Sequence, residues 1–172
     1  MTNFRYCPQC TRPLERQEHQ NGETFPGCPD GHFTHYDNPS AVAGAIVRQD
    51  GKYLVLKRAQ EPSKGKWELP GGFINAGETA EETAIRELKE ETGLDVRIVR
   101  YIGSFASVYG DTGIRTVGTA YLAEPTGGTF DLSEESEEHR WVGLDEFPEM
   151  AHADDQQAVD TFVAQERQAA AS

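Results

Sequence analysis

Apolar residues recur in this chain at two spacings. Ala41 to Arg48 (AVAGAIVR) is an almost unbroken apolar run and reads as a buried strand. Asp50-Gly51 is a hairpin turn leading into a second strand, Lys52 to Arg58 (KYLVLKR). Asp95 to Ser107 and Gly113 to Ala123 read as two more strands, paired or neighbouring in one sheet, with Val108 to Thr112 as their loop. Between these pairs the spacing turns helical. Ala84, Ile85 and Leu88 make an apolar stripe, Thr79 with Glu82 forms a capping box, and Gly93 followed by Leu94 suits a left-handed stop. Pro125 to Gly128 reads as a turn and Asp131 to Glu138 as an acidic loop. His139 to Val142 reads as a short strand, and Leu144 to Pro148 as a turn into a short helix. The chain closes on a helix over Asp154 to Gln168, with Val159, Phe162 and Val163 on its apolar face and a frayed AAAS end.

Composition narrows the partners. A length of 172 residues suits one main domain with a small attachment, and 37% hydrophobic residues are enough for a core. No apolar run approaches the roughly 18 residues of a membrane span, and MTNFRYCPQC has no signal-peptide core. A cytoplasmic protein is therefore expected. The net charge of −13 argues against polynucleotide binding through a basic face and against anionic membranes.

The chemistry concentrates in Gly72 to Leu94 (GFINAGETAEETAIRELKEETGL). Glu87, Glu90 and Glu91 stand at i, i+3 and i+4, so three like charges share one side of the helix. A divalent cation that prefers oxygen ligands removes their repulsion. Pro70-Gly71-Gly72 lets backbone approach the same place, and Arg86 can orient a carboxylate. Gly72, Glu78, Arg86, Glu87, Leu88, Glu90, Glu91, Gly93 and Leu94 fill every fixed position of the pattern G-x5-E-x7-R-E-U-x-E-E-x-G-U, with U aliphatic. The stretch thereby resembles the Nudix box. The resemblance implies an α/β fold, an α/β/α sandwich around a mixed sheet. It also implies magnesium- or manganese-dependent hydrolysis of a nucleoside diphosphate linked to another moiety.

By the same resemblance, Glu87, Glu90 and Glu91 are the expected ligands of Mg2+ or Mn2+, with a carbonyl oxygen from Gly71 or Gly72. Glu78 and Arg86 support them. The general base is either in the box, at Glu87 or Glu90, or in the segment DLSEESEEHRW, where Glu138 is favoured and Glu135 is the alternative. Arg58 and Tyr109 are candidate substrate contacts, with Lys57 beside Arg58 within reach of phosphate. Trp67 reads as a packing anchor.

All three cysteines fall within the first 28 residues, an odd number that favours metal over disulfides. C-x2-C followed by C-x3-H offers Cys7, Cys10, Cys28 and His32 to a tetrahedral structural Zn2+, with His35 in reserve. Asn21-Gly22 is a hairpin turn signal between them. The segment resembles the zinc ribbons preceding some Nudix domains, those of NADH pyrophosphatases included, although Gly31 takes the place of the fourth cysteine. The expected division is a zinc-ribbon-like β module over 1–36 and a Nudix domain over 37–172.

The substrate class is left broad: ADP-ribose, a dinucleotide, an NDP-sugar or a nucleoside triphosphate. The chain lacks the SQPW-type segment of NADH pyrophosphatases, having GSFASVY there, which argues against NADH. A nucleotide-sensing protein without turnover is the rival reading, and an intact box argues against it. Monomer and homodimer both stay open.

Overall fold

The computed structural model describes residues 4–20 and 22–171. Asn21, half of the expected hairpin signal, and the terminal Ser172 lie outside the described residues, as does the start of the N-terminal segment weighed above. The chain forms two compact units, one through Pro39 and one from Ser40.

The first unit pairs β1 (Glu15–Glu18) with β2 (Thr24–Gly27) in an antiparallel hairpin, from Glu18↔Thr24 to Glu15↔Gly27. Short backbone turns bracket it. Thr11 N–H donates to the Cys7 carbonyl and Gly31 N–H to the Cys28 carbonyl, both at 2.9 Å.

The second unit contains β3 (Ser40–Gln49), β4 (Lys52–Arg58), β5 (Trp67–Glu68), β6 (Gly71–Phe73), α1 (Ala80–Thr92), β7 (Leu94–Val108), β8 (Arg115–Gly128), β9 (Ser136–Val142) and α2 (Ala153–Ala170). Its mixed sheet runs β5-β4-β3-β8-β7, with β6 also on β3 and β9 on β4. Only the β3–β8 pairing is parallel; the others are antiparallel.

Side-chain alternation along β3 and β4 divides the core. Ala43, Ala45, Val47, Leu54 and Leu56 meet Ala84 and Leu88 of α1 on one face. Ile46, Tyr53 and Val55 meet Ala158, Val159 and Phe162 of α2 on the other. Burial on both faces explains why β3 reads as a continuous apolar run. The result is the expected α/β/α sandwich.

The caps of α1 match the sequence reading. Glu82 N–H donates to Thr79 Oγ1 at 3.2 Å, Thr79 N–H donates to Glu82 at 2.8 Å, and Gly93 is left-handed at φ 70°. Three expectations need correction. Ile85 is exposed, because the buried stripe runs through Ala84 and Leu88 at i, i+4 and Ile85 lies about 100° around the helix from Ala84. Pro125 to Gly128 is not a turn but the end of β8, where a register shift between Asp95 and Val96 gives Pro125 the irregular position it needs in a strand. Leu144 to Pro148 makes a turn with no helix of its own before α2. Among the described residues no helix is long and apolar enough to cross a membrane.

Candidate active site

The site begins where β6 meets α1. β6 lies on β3 through Gly44↔Gly71 and Ala43↔Gly72. A Cβ at Gly71 would stand 2.6 Å from the Gly44 Cα, and one at Gly72 would stand 2.3 Å from Glu87 Oε1. Glycine therefore brings bare backbone against the carboxylates of α1. Gly71 N–H donates to Glu91 Oε2 at 3.2 Å.

The acids in and just before α1 differ in how far a cation compensates them. Arg86 gathers Glu78, Glu87 and Glu90. Its Nε donates to Glu78 Oε1 at 2.7 Å, while Nη1 donates to Glu87 at 2.8 Å and to Glu90 at 3.0 Å. Arg86 and the Thr83 hydroxyl together hold the Glu78 carboxyl down at about 2. Glu90, paired with Arg86, is 59% exposed and does not line the cavity.

Glu91 lacks such compensation. It is 9% exposed. Burial pushes its carboxyl well above the usual range, and the neighbouring charges of Glu68, Glu87 and Glu135 push it further. Burial also raises Glu87, against the pull of Arg86. A wall of crowded hard oxygens beside open backbone fits a magnesium- or manganese-sized cation by the chemistry of its donors.

These groups line a cavity of about 440 Å³, large enough for a small-molecule ligand. Arg58 and Tyr109 line it as well. Arg58 is committed within the protein: it pairs with Glu68, donates to the Pro62 carbonyl at 2.7 Å and reaches the Tyr109 hydroxyl at 3.3 Å. The Tyr109 ring stacks on His152 at 5.2 Å and meets the edge of Phe73 at 5.5 Å. Trp67 packs at the margin of the core under the Arg140 guanidinium, consistent with an anchor.

Glu138 is not brought to this cavity. It lies on β9 opposite Lys57, held by Arg140 at 2.8 Å and Lys57 at 3.6 Å, and these cations keep its carboxyl low. Lys57 is likewise occupied, by Glu137 at 2.9 Å. The acidic segment becomes strand at Ser136, and pairing with β4 turns Glu138 away; Glu135, just before the strand, lines the cavity. Sequence reading also missed Glu68, His152 and Asp155. Glu68 had one usable signal, its place just before Gly71. Asp155 and His152 reach the cavity only because α2 packs across the sheet, which no local pattern announces.

In the N-terminal unit, ligand atoms of Cys7, Cys10, Cys28 and His32 all lie within 4.8 Å of one another. Cys10 and Cys28 sulfurs are 3.5 Å apart. Burial opposes ionisation of Cys7, but the backbone N–H groups of Cys10 and Gln9 prevail and bring its thiol down to about 7. Three sulfurs and an imidazole at these separations match a tetrahedral zinc donor set. His35 instead packs its ring against Phe4 at 4.8 Å. Gly31 has φ 74°, a conformation that would strain a cysteine there.

Comparison with known proteins places this geometry. The NUDIX domain model matches residues 37–162. The ADP-ribose pyrophosphatase of Methanocaldococcus jannaschii is 33% identical over 116 residues, covering 67% of this chain and 69% of that protein. The NAD-capped RNA hydrolase of Vibrio atlanticus is 32% identical over 87% of this chain, which spans 53% of that relative's length. The crystal structure of a NUDIX hydrolase from Nitrosomonas europaea superposes with a TM-score of 0.80 at 28% identity, covering 95% of this chain and 93% of that one.

Proposed function

The chain belongs to the Nudix family, and from that premise we propose that it is a pyrophosphohydrolase of nucleoside diphosphates linked to a second moiety, with ADP-ribose the leading substrate. The observation that carries this reading is the buried Glu91 carboxylate, crowded by Glu87, Glu68 and Glu135 against the Gly71 backbone. The similarity to an ADP-ribose pyrophosphatase over most of its length supports the substrate. The NAD-capped RNA hydrolase extends well beyond the aligned region, and a chain of net charge −13 is poorly suited to holding RNA.

Glu87 and Glu91, with a carbonyl oxygen of Gly71 or Gly72, would hold Mg2+ or Mn2+, which supplies charge neutralisation on the pyrophosphate and an acidified water. Arg86 fixes Glu87 in place, and Glu78 fixes Arg86. Glu90 contributes by anchoring the other side of Arg86. A water oxygen attacks one phosphorus, the bond from that phosphorus to the bridging oxygen breaks, and Glu135 accepts the proton. The products are two phosphate monoesters. In the N-terminal unit, Cys7, Cys10, Cys28 and His32 would hold one structural Zn2+, making residues through about 36 a ribbon module.

The test is a panel of ADP-ribose, NADH, a UDP-sugar and a nucleoside triphosphate with magnesium. ADP-ribose should release AMP fastest, and none should react in chelator. Tight binding with no turnover of any member would overturn the hydrolase reading.

A further inference from the structure

His152 has no assigned task in the reaction above. It is the N-cap residue of α2, yet its side chain makes no capping bond. The side chain is 10% exposed. Neither ring nitrogen has a hydrogen-bond partner among the described residues, and both are shut from water, so the accessible part of the side chain is carbon. The nearest carboxylate oxygen, on Glu68, is 3.8 Å from Nε2, too far for a hydrogen bond. Burial, aided by the Arg58 charge, lowers the imidazole pKa and favours the neutral ring, with one donor and one acceptor. Leaving both unmet is costly, and buried polar groups are rarely left so without reason. A half-turn of the ring is nearly isosteric and exchanges each nitrogen with a carbon, which would present nitrogens at the accessible edge.

The surroundings say what they would meet. His152 lines the same cavity as Glu68, Asp154 and Asp155. The Glu68 charge acts on both Asp155 and Glu91, so this end continues from the carboxylate cluster. Two cations act on His152: Arg58, which lines the cavity, is already bound to Glu68, the Pro62 carbonyl and Tyr109, and Lys66 is exposed and does not line it. An end rich in acceptors, whose lining cation is already paired, disfavours a terminal phosphate and suits hydroxyl groups, which can donate to carboxylates and both donate to and accept from imidazole.

We propose that His152, with the adjoining acids, forms a subsite for an uncharged, hydroxyl-bearing sugar on the far side of the pyrophosphate, and that His152 is the specificity-determining residue there. This rests on the hydrolase reading for its placement of the pyrophosphate. It separates an ADP-ribose-like substrate from nucleoside triphosphates, whose tail is anionic.

The test uses two probes that cannot be hydrolysed, α,β-methylene ADP-ribose and α,β-methylene ADP, titrated calorimetrically with magnesium. Wild type should bind the sugar-bearing probe about tenfold tighter or more. His152→Phe, which keeps the ring stacked on Tyr109, should reduce that ratio to within about threefold by weakening the sugar-bearing probe alone. His152→Asn, which keeps one donor and one acceptor, should restore part of it. A second measurement needs no variant: removing the 2-hydroxyl from the terminal ribose of the first probe should weaken its binding to wild type several-fold. A wild type without preference, or an unchanged ratio in His152→Phe, overturns the subsite, as does a deoxy probe that binds equally well. Should the ratio and its loss appear while ADP-ribose is never cleaved, the subsite stands and the hydrolase reading falls.

Discussion

The unit through residue 39 encloses very little. Among its described residues the buried positions are Cys7, Gly27 and Cys28, and its aromatic side chains Phe4, Tyr6 and Tyr36 are exposed. The unit from Ser40 fills both faces of a sheet, with twelve buried residues on one and eleven on the other. Each unit also carries a cluster of metal-competent groups, and the clusters differ as the cores do. The first is soft, three sulfurs and an imidazole drawn within 4.8 Å. The second is hard, carboxylates spread along a cavity wall beside bare backbone. A segment of about 40 residues rarely buries enough to fold alone, so a metal bound there would contribute to folding. A domain with two packed faces does not need metal to fold and can hold charged groups at cost for chemistry. The difference teaches that the amount of core around a ligand cluster sets whether a metal bound there would serve folding or be free for reactivity.

The sharpest way to break that contrast is at Glu91. Glu91→Gln removes a buried charge and a hard ligand while keeping the shape. Turnover should fall by about three orders of magnitude or more, while Tm without metal holds or rises. Wild-type kcat with ordinary magnesium would show that the cavity acids are structural. Next is Glu135→Gln, which should lower kcat by about 10²- to 10⁴-fold with metal affinity little changed, whereas Glu138→Gln, altering a residue held by Arg140 and Lys57, should stay within about twofold. The reverse ranking in steady-state kinetics would return the base to Glu138.

Cys28→Ser should act on the other unit. Zinc content should drop and residues 1–39 should become protease-sensitive, while kcat on ADP-ribose stays within about threefold. Smallest is Glu78→Gln. Arg86 holds this carboxyl at about 2, below its ordinary 4.5, so its contribution to stability is present above the ordinary value and lost as pH falls toward about 2. The variant should melt a few degrees below wild type near neutral pH, with the gap narrowing as the solution is acidified below about pH 4.5. A gap that is constant with pH would remove the ion pair as its cause.

Much of this was legible locally. The helix α1, its capping box and its left-handed stop depend on residues within a turn of one another, and the sequence states them directly. The buried strands β3 and β4 were legible because two-sided burial leaves an apolar run. The cysteine and histidine spacing named the four groups that the hairpin collects. What failed was non-local. Glu138 and Glu135 are equivalent as letters, and pairing of β9 with β4 decides which faces the cavity. Glu90, read as a ligand with Glu87 and Glu91, is the exposed member of the three and is paired with Arg86. His152 and Asp155 had no signal at all, since their role depends on where α2 crosses the sheet.

The most direct test of the contrast strips both metals and returns them separately. Protein is treated with a strong chelator, dialysed, and given magnesium alone, zinc alone, or both. ADP-ribose hydrolysis and limited proteolysis of residues 1–39 are then followed on the same samples. Magnesium alone should restore most of the turnover while the N-terminal unit stays protease-sensitive, and protection should return only with about one zinc per chain. Full protection of residues 1–39 in the metal-free sample, or turnover that returns with zinc but not with magnesium, would contradict the division between a metal that folds one unit and a metal that works in the other.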